Sequence, residues 1–311
     1  MTPPVDTLVA AAPATRGAEV LLARRRALDY LALAKPRVVF MVAVTTLVGY
    51  YLGAAGTLDL VRLVHVLAGT VLAAGGTLAL NQYFERDVDA CMARTRHRPL
   101  PGGRLAPSEA LAFGTLLTTG GLAYLALTVG PTAVLVTGAT SGLYLFGYTP
   151  LKRVTPLCML VGAVPGALPP VTGWVAASGG GHEGAMGAAV LFAILFLWQL
   201  PHTLAIARLY EADYRQAAIR VLPVVDPEGK STERQIVLGC LALQVVSLLP
   251  TLVGLTGAVY FFGALVLGAL FLVCGLAQAV QPSTAAARRV VLASVLYLPL
   301  LLALMALDKA G

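Results

Sequence analysis

Nine times along this chain an apolar run long enough to cross a bilayer starts and stops, at 38–56, 62–84, 109–128, 131–149, 155–176, 187–208, 235–255, 258–279 and 290–307. A helix needs about 20 apolar residues to span the hydrocarbon layer. Backbone in lipid must satisfy its own hydrogen bonds, so runs of this length fold as helices. Composition agrees: 12% of the 311 residues are charged and 58% are hydrophobic, against about 25% charged in an ordinary soluble domain. One large soluble core is excluded. The expected fold class is all-α, a polytopic membrane protein of nine transmembrane helices. Residues 1–27 read as a disordered N-terminal tail and residues 28–311 as the transmembrane domain.

Charge orients the bundle. A net charge of +7 would suit nucleic acid if it formed a patch, but it does not. With the N-terminus in the cytoplasm, twenty of the 22 Lys and Arg fall on inner segments, and only Arg62 and Lys309 fall outside. That is the positive-inside pattern. It predicts a bacterial cytoplasmic (inner) membrane protein, N-terminus inside and C-terminus outside, and it removes the need for a nucleic-acid partner. The cysteines, Cys91, Cys158, Cys240 and Cys274, have no metal-binding or redox spacing and read as free thiols.

The outer loops are short, whereas the inner loops at 85–108 and 209–234 hold most of the carboxylates. Function in a rigid scaffold sits on its loops, so the site is expected to open to the cytoplasm. The two inner loops also resemble one another: "TLALNQYFERD" (77–87) aligns without gaps on "TLAIARLYEAD" (203–213). Internal repeats are common in membrane folds. This one predicts two related four-helix halves plus a ninth helix, with two acidic helix ends facing each other.

Asn81, Glu85 and Asp89 are spaced i, i+4, i+8, which sets them in a row on one helix face. Oxygen ligands in such a row suit Mg²⁺, which takes one or two carboxylates and completes its shell with water and substrate phosphates. Asp87, beside Arg86, points elsewhere, while Glu211 and Asp213 are expected to supply the opposite wall. A single charged helix end is often only a solvated terminus. Two in related positions at membrane depth, where ionisable groups are costly, point to function. The bases narrow the chemistry. Tyr148 and Lys152, Arg153, Arg94 and Arg98, with Lys35 and Arg37, ring the same mouth, and a diphosphate needs that combination of metal and cations. Arg24, Arg25, Arg26, Arg104, Arg288 and Arg289 are attributed to topology alone.

"NQYFERDVDACMART" (81–95) resembles the first motif of the UbiA-type intramembrane prenyltransferases. Three further stretches narrow the resemblance to the branch that farnesylates protoheme IX: "DYLALAKPRVV" (29–39), "YTPLKRVTPLCMLVGAVPGALPPVTGW" (148–174) and "WQLPHTLAIARLYEADYRQAAIRVLPVVDPEG" (198–229). Three positions depart from the family pattern. Glu85 stands where the motif usually has Asp, and Arg220 and Val221 stand where Pro and Met are common. The resemblance implies that farnesyl diphosphate, held with Mg²⁺ by Asn81, Glu85, Asp89, Glu211 and Asp213, loses diphosphate to give an allylic cation. Arg94, Arg98, Tyr148, Lys152 and Arg153 would bind the diphosphate. A vinyl group of heme B attacks the cation and water completes the product, heme O, for terminal oxidases. A downstream heme-modifying or oxidase-assembly membrane protein is the implied partner.

For the porphyrin, His202 is the expected contact, with Trp198, Gln199 and Arg208 around it. Pro201 can kink that helix and free backbone carbonyls, and an intramembrane histidine is costly unless employed. His65 and His182 read as incidental, and His97 sits beside the active mouth, either as part of it or simply solvated. Three other readings compete with a heme prenyltransferase: a related enzyme acting on an aromatic acid or chlorophyllide, a secondary transporter, and a noncatalytic oxidase-assembly scaffold, which would not need the acidic rows. Transporters place charged sites near the midplane, whereas here the charges collect at helix ends.

Overall fold

A computed structural model describes residues 16–179, 184–226 and 228–310; His182 lies outside them. Eight of the helices there are long and apolar enough to cross a membrane. In chain order these are the first (Pro36–Gly53), second (Leu60–Cys91), third (Pro107–Thr128), fifth (Cys158–Ala177), sixth (Ala185–Leu209), seventh (Lys230–Leu252), eighth (Ala258–Val280) and ninth (Thr284–Leu307). The fourth is composite: an α-helix over Pro131–Gly142, a π-helical turn over Leu143–Tyr148 and a last α-turn over Thr149–Leu151. The Thr149 N–H bonds the Tyr144 carbonyl, five residues back. Pro150 follows at once, and a proline ring clashes with the carbonyl four residues before it, which favours the wider turn. Eight of the nine expected runs are thus helices long and apolar enough to cross, two of them interrupted near Leu168 and Ser247, and the run at 131–149 is broken by a π turn.

The second helix is the exception in length. Asp59 caps it, its Oδ1 accepting the Arg62 N–H at 2.9 Å, and it runs for 32 residues, about 48 Å at 1.5 Å per residue. The hydrocarbon layer takes only about 30 Å. Its last three turns therefore reach the acidic end of the bundle and carry Asn81, Glu85 and Asp89 with them. Close packing fixes its direction. A Cβ on Gly76 would lie 2.4 Å from the backbone N of Thr118 on the third helix, and one on Gly121 would lie 2.5 Å from that of Ala73. Small residues let helix backbones meet in lipid in this way. The first helix lies against the fifth by the same means, where a Cβ on Gly173 would sit 2.0 Å from the Thr46 carbonyl. Leu191, Ile194, Ile236, Leu243, Phe271 and Leu301 form the core of the sixth to ninth helices.

At the far end, polar side chains close the carbonyl ends of helices. The Arg62 guanidinium donates to the Ala176 and Val129 carbonyls, and the Lys309 ammonium to those of Tyr51 and Ala54. At the acidic end the tail expected to be disordered through residue 27 is helical from Arg16 to Ala34. Ala, Leu and Arg dominate this segment and are strong helix formers. It is also tied down, by Arg104 to Asp29 at 2.8 Å, by Arg26 to Glu109 and by Gln82 to the Leu33 carbonyl at 2.8 Å. Residues 1–15 lie outside the described chain.

Candidate active site

Each member of the Asn81, Glu85, Asp89 row is met by a base from a different element. Lys35, at the junction before the first helix, donates to Asn81 Oδ1 at 3.2 Å, and Asn81 Nδ2 donates to Thr149 Oγ1 at 3.1 Å. Lys152, just past the fourth helix, pairs with Glu85 Oε1 at 2.7 Å. Arg98, on the loop after the second helix, pairs with Asp89 Oδ2 at 2.6 Å. Asp89 is 1% exposed, so that pair is fixed and shielded. Lys35 has a left-handed backbone at φ 50°, which turns the chain between two helices and points it at the row. Burial, with Arg98 and Lys152 close by, pulls its ammonium down to about 7. Burial works against the Lys152 charge too, but Tyr148 and Glu85 beside it prevail and hold that ammonium above its ordinary range. Its Nζ also lies 4.2 Å from the Tyr148 ring centroid, a cation–π arrangement. Arg220, one of the three departures, donates its backbone N–H to the Lys152 carbonyl at 2.8 Å; a proline would have no N–H to give.

Other expected site residues fall elsewhere. Asp213 does approach the row's loop, accepting the Arg94 N–H at 3.3 Å, while the Arg94 guanidinium lies over Tyr210 at 4.9 Å. Glu211 has both carboxylate oxygens engaged by arginines. Its Oε2 is taken by Arg208 at 2.8 Å and its Oε1 by Arg215 at 2.6 Å. The repeat misleads here because the second helix runs straight through its acidic segment, whereas the sixth stops at Leu209 and a new turn, Glu211–Gln216, starts in another direction. Arg208 is held between Glu211 and Glu233, and Arg153 is exposed.

His202 and Trp198 face the ninth helix rather than the Gln199 side of their own helix. They stack at 4.8 Å, Trp198 Nε1 donates to the Ser294 carbonyl at 2.8 Å, and His202 Nδ1 meets Ser294 Oγ at 2.6 Å. The Ser294 hydroxyl donates to the Val291 carbonyl, so its oxygen accepts from His202. The proton is thereby assigned to Nδ1 and the lone pair to Nε2.

Between the helices, below the Glu85–Lys152 pair, lies a cavity of roughly 330 Å³. Val42, Leu78, Val88, Met159 and Ile206 give it apolar walls, with Tyr144 and Tyr148 on one side. From the sixth helix Gln199 and Thr203 face it, while His202 does not. Gly166 leaves room for the Gln199 amide: a Cβ there would lie 1.9 Å from its Oε1, and the side chain would have to shift. Tyr144 and Thr149 escaped the sequence reading, because the π turn gives them a spacing that ordinary helical periodicity does not anticipate.

Among the described residues no three acidic, histidine or cysteine side chains gather as a metal cage. Glu85 and Asp89 each use one oxygen for a base, and the other accepts no hydrogen bond among the described residues. Hard oxygen donors with a charge-balancing ring of cations fit Mg²⁺ arriving with a phosphate, since that ion needs one or two carboxylates rather than an all-protein cage.

An apolar chamber inside a membrane bundle, with carboxylates and cations at one end, defines an intramembrane enzyme for a substrate with a greasy tail and an anionic head. The UbiA prenyltransferase family model matches residues 42–304, and the chain belongs to that family. It is 47% identical to a protoheme IX farnesyltransferase of Solibacter usitatus, over 91% of this chain and 99% of that protein. It is 43% identical to one of Koribacter versatilis, over 90% and 93%. Solved structures share the fold. A digeranylgeranylglyceryl phosphate synthase superposes with a TM-score of 0.76 at 17% identity, covering 91% of this chain and 98% of that one. A UbiA homologue of Archaeoglobus fulgidus bound to GPP and Mg²⁺ does so with 0.62 at 16%, covering 89% and 99%.

Proposed function

We propose that this protein transfers the farnesyl group of farnesyl diphosphate to a vinyl group of heme B, with addition of water, at a site open to the cytoplasm of a bacterial cell. The observation that carries this reading is the Glu85–Lys152 pair standing over an apolar cavity. Relatives named protoheme IX farnesyltransferase over nine-tenths of the chain supply the acceptor, and a neighbour of the same fold holds a prenyl diphosphate with Mg²⁺.

In this reading Asn81, Glu85 and Asp89 would hold Mg²⁺, with Asp213, which accepts the Arg94 N–H on the adjoining loop, as a further oxygen donor. The ion supplies charge neutralisation of the departing diphosphate. Lys152, Arg98 and Lys35 would exchange their carboxylate and amide partners for phosphate oxygens as the head group enters, so the charges already in place change partners rather than position. Such preorganised charge stabilises a leaving group most where water is excluded. The C1–O bond of the prenyl diphosphate breaks and its electron pair leaves with the phosphate oxygen. The vinyl π electrons then form the new C–C bond, and water adds to the resulting cation with loss of one proton. The apolar walls keep water from the first cation until the vinyl group has reacted.

In this reading His202 contacts the porphyrin. Metal-ligating histidines characteristically donate their other ring N–H to an acceptor, and Ser294 fills that role, leaving Nε2 for iron. The test offers purified protein farnesyl diphosphate with heme B, an aromatic acid or a chlorophyllide in separate incubations. Farnesylated porphyrin from heme B alone supports the reading, and transfer to another acceptor in preference to heme B overturns it.

A further inference from the structure

The cavity changes character with depth. From Glu85 down to Thr77 is eight residues, about 12 Å along the second helix, and Leu78 on that helix and Tyr144 on the fourth line the cavity there. Below it the walls turn to hydroxyls. Thr77 Oγ1 meets Ser141 Oγ at 2.8 Å. Thr137 and Thr172 face each other at 3.5 Å. Thr70 lies deepest, a further seven residues or about 10 Å below Thr77. All of them line the one cavity. Thr70 is 3% exposed and its hydroxyl has no partner among the described residues. Beneath it Tyr50, Val66 and Leu125 form a sealed apolar plug.

A buried hydroxyl without a partner is unfavourable, and a polar recess with several hydroxyls is where proteins keep internal water. Resting on the prenyl-transfer reading above, we propose that this hydroxyl-lined floor is a water site that sets the longest prenyl chain the enzyme accepts, with Thr70 as its specificity-determining residue. The main chain of a farnesyl group has twelve carbons, and its zigzag of bonds of about 1.5 Å advances on the order of 14 Å end to end. It therefore fills the upper, apolar stretch and ends where the hydroxyls begin. A chain one isoprene unit longer must enter the floor, displace water from hydroxyls and leave them against hydrocarbon, which costs affinity.

The test is a competition in one vessel between farnesyl and geranylgeranyl diphosphate, with heme B and Mg²⁺, for the full-length protein in lipid nanodiscs. A product ratio taken in one vessel does not depend on how much of a variant is folded. Thr70→Val keeps the side-chain shape but removes the hydroxyl, and should raise the share of the longer chain about tenfold, with Thr70→Val/Thr172→Val raising it further. Thr70→Ser keeps the hydroxyl and should retain the wild-type ratio. A ratio within about twofold of wild type in both valine variants overturns the proposal, as does an equal rise in Thr70→Ser, which would make room rather than polarity the determinant. Absence of any prenyl transfer by the wild type would instead count against the proposed function itself.

Discussion

Asp89 is the residue on which the site turns, because it is buried, sits at the end of the row and is held by a single guanidinium. Asparagine keeps its shape and removes its charge, so Asp89→Asn should leave the protein folded while lowering prenyl transfer at least ~10²-fold, the scale of losing one preorganised charge contact in a dry site. Chelating divalent ions should have a comparable effect on the wild type, reversed by added Mg²⁺; steady-state rates check both. His202 makes a different kind of contribution. If Nε2 meets iron, His202→Ala should shift the Soret band and weaken heme binding while Mg²⁺-dependent farnesyl diphosphate binding survives; an unchanged spectrum would leave His202 as a packing partner of Trp198 and Ser294. The row was legible in sequence because i, i+4, i+8 needs only a helix. Its partners were less so: Lys152 could be placed near a phosphate, but its pairing with Glu85 depends on where two helices end. Glu211 shows the limit. An aligned repeat cannot reveal that one copy continues its helix and the other stops.

At the scale of the element, the long second helix is the scaffold, and its aim depends on the glycine contacts with the third. Gly76→Leu would drive a side chain into backbone, where a Cβ alone already comes within 2.4 Å of Thr118 N. Overpacking of this kind typically costs about 1–3 kcal/mol, and a rigid backbone neighbour gives little relief. A clearly lowered melting temperature in detergent is expected. Gly120→Leu, at a position where a Cβ would meet nothing within 4 Å, should melt like the wild type. The existence of most helices could be read from hydropathy, since length and apolar content decide whether a segment spans. The π turn in the fourth helix and the helix from Arg16 could not. The first depends on local carbonyl crowding at Pro150, and the second on tertiary ties from Asp29, Arg26 and Gln82.

For the whole molecule, two statements carry the account: which way the bundle sits, and what it makes. Cys91 is exposed at the acidic end, while Cys158 and Cys240 are buried. In intact cells a membrane-impermeant maleimide should leave Cys91 unlabelled, and in inverted vesicles it should label it; the reverse pattern would put the site on the outer face. All-helical architecture and its membrane character followed from composition, because a chain this apolar has few ways to fold. The cavity, its hydroxyl floor and the turning of His202 toward Ser294 did not, because each is set by how helices rotate against their neighbours. The chemistry itself is tested most directly by mass spectrometry of the porphyrins formed when the purified protein is given heme B, farnesyl diphosphate and Mg²⁺ in heavy-oxygen water. The account predicts heme B carrying one farnesyl group and one heavy-oxygen hydroxyl, absent when chelator is added or when Asp89→Asn replaces the wild type. Heme B recovered unchanged from the wild type, or a farnesylated product formed equally well in chelator, would contradict it.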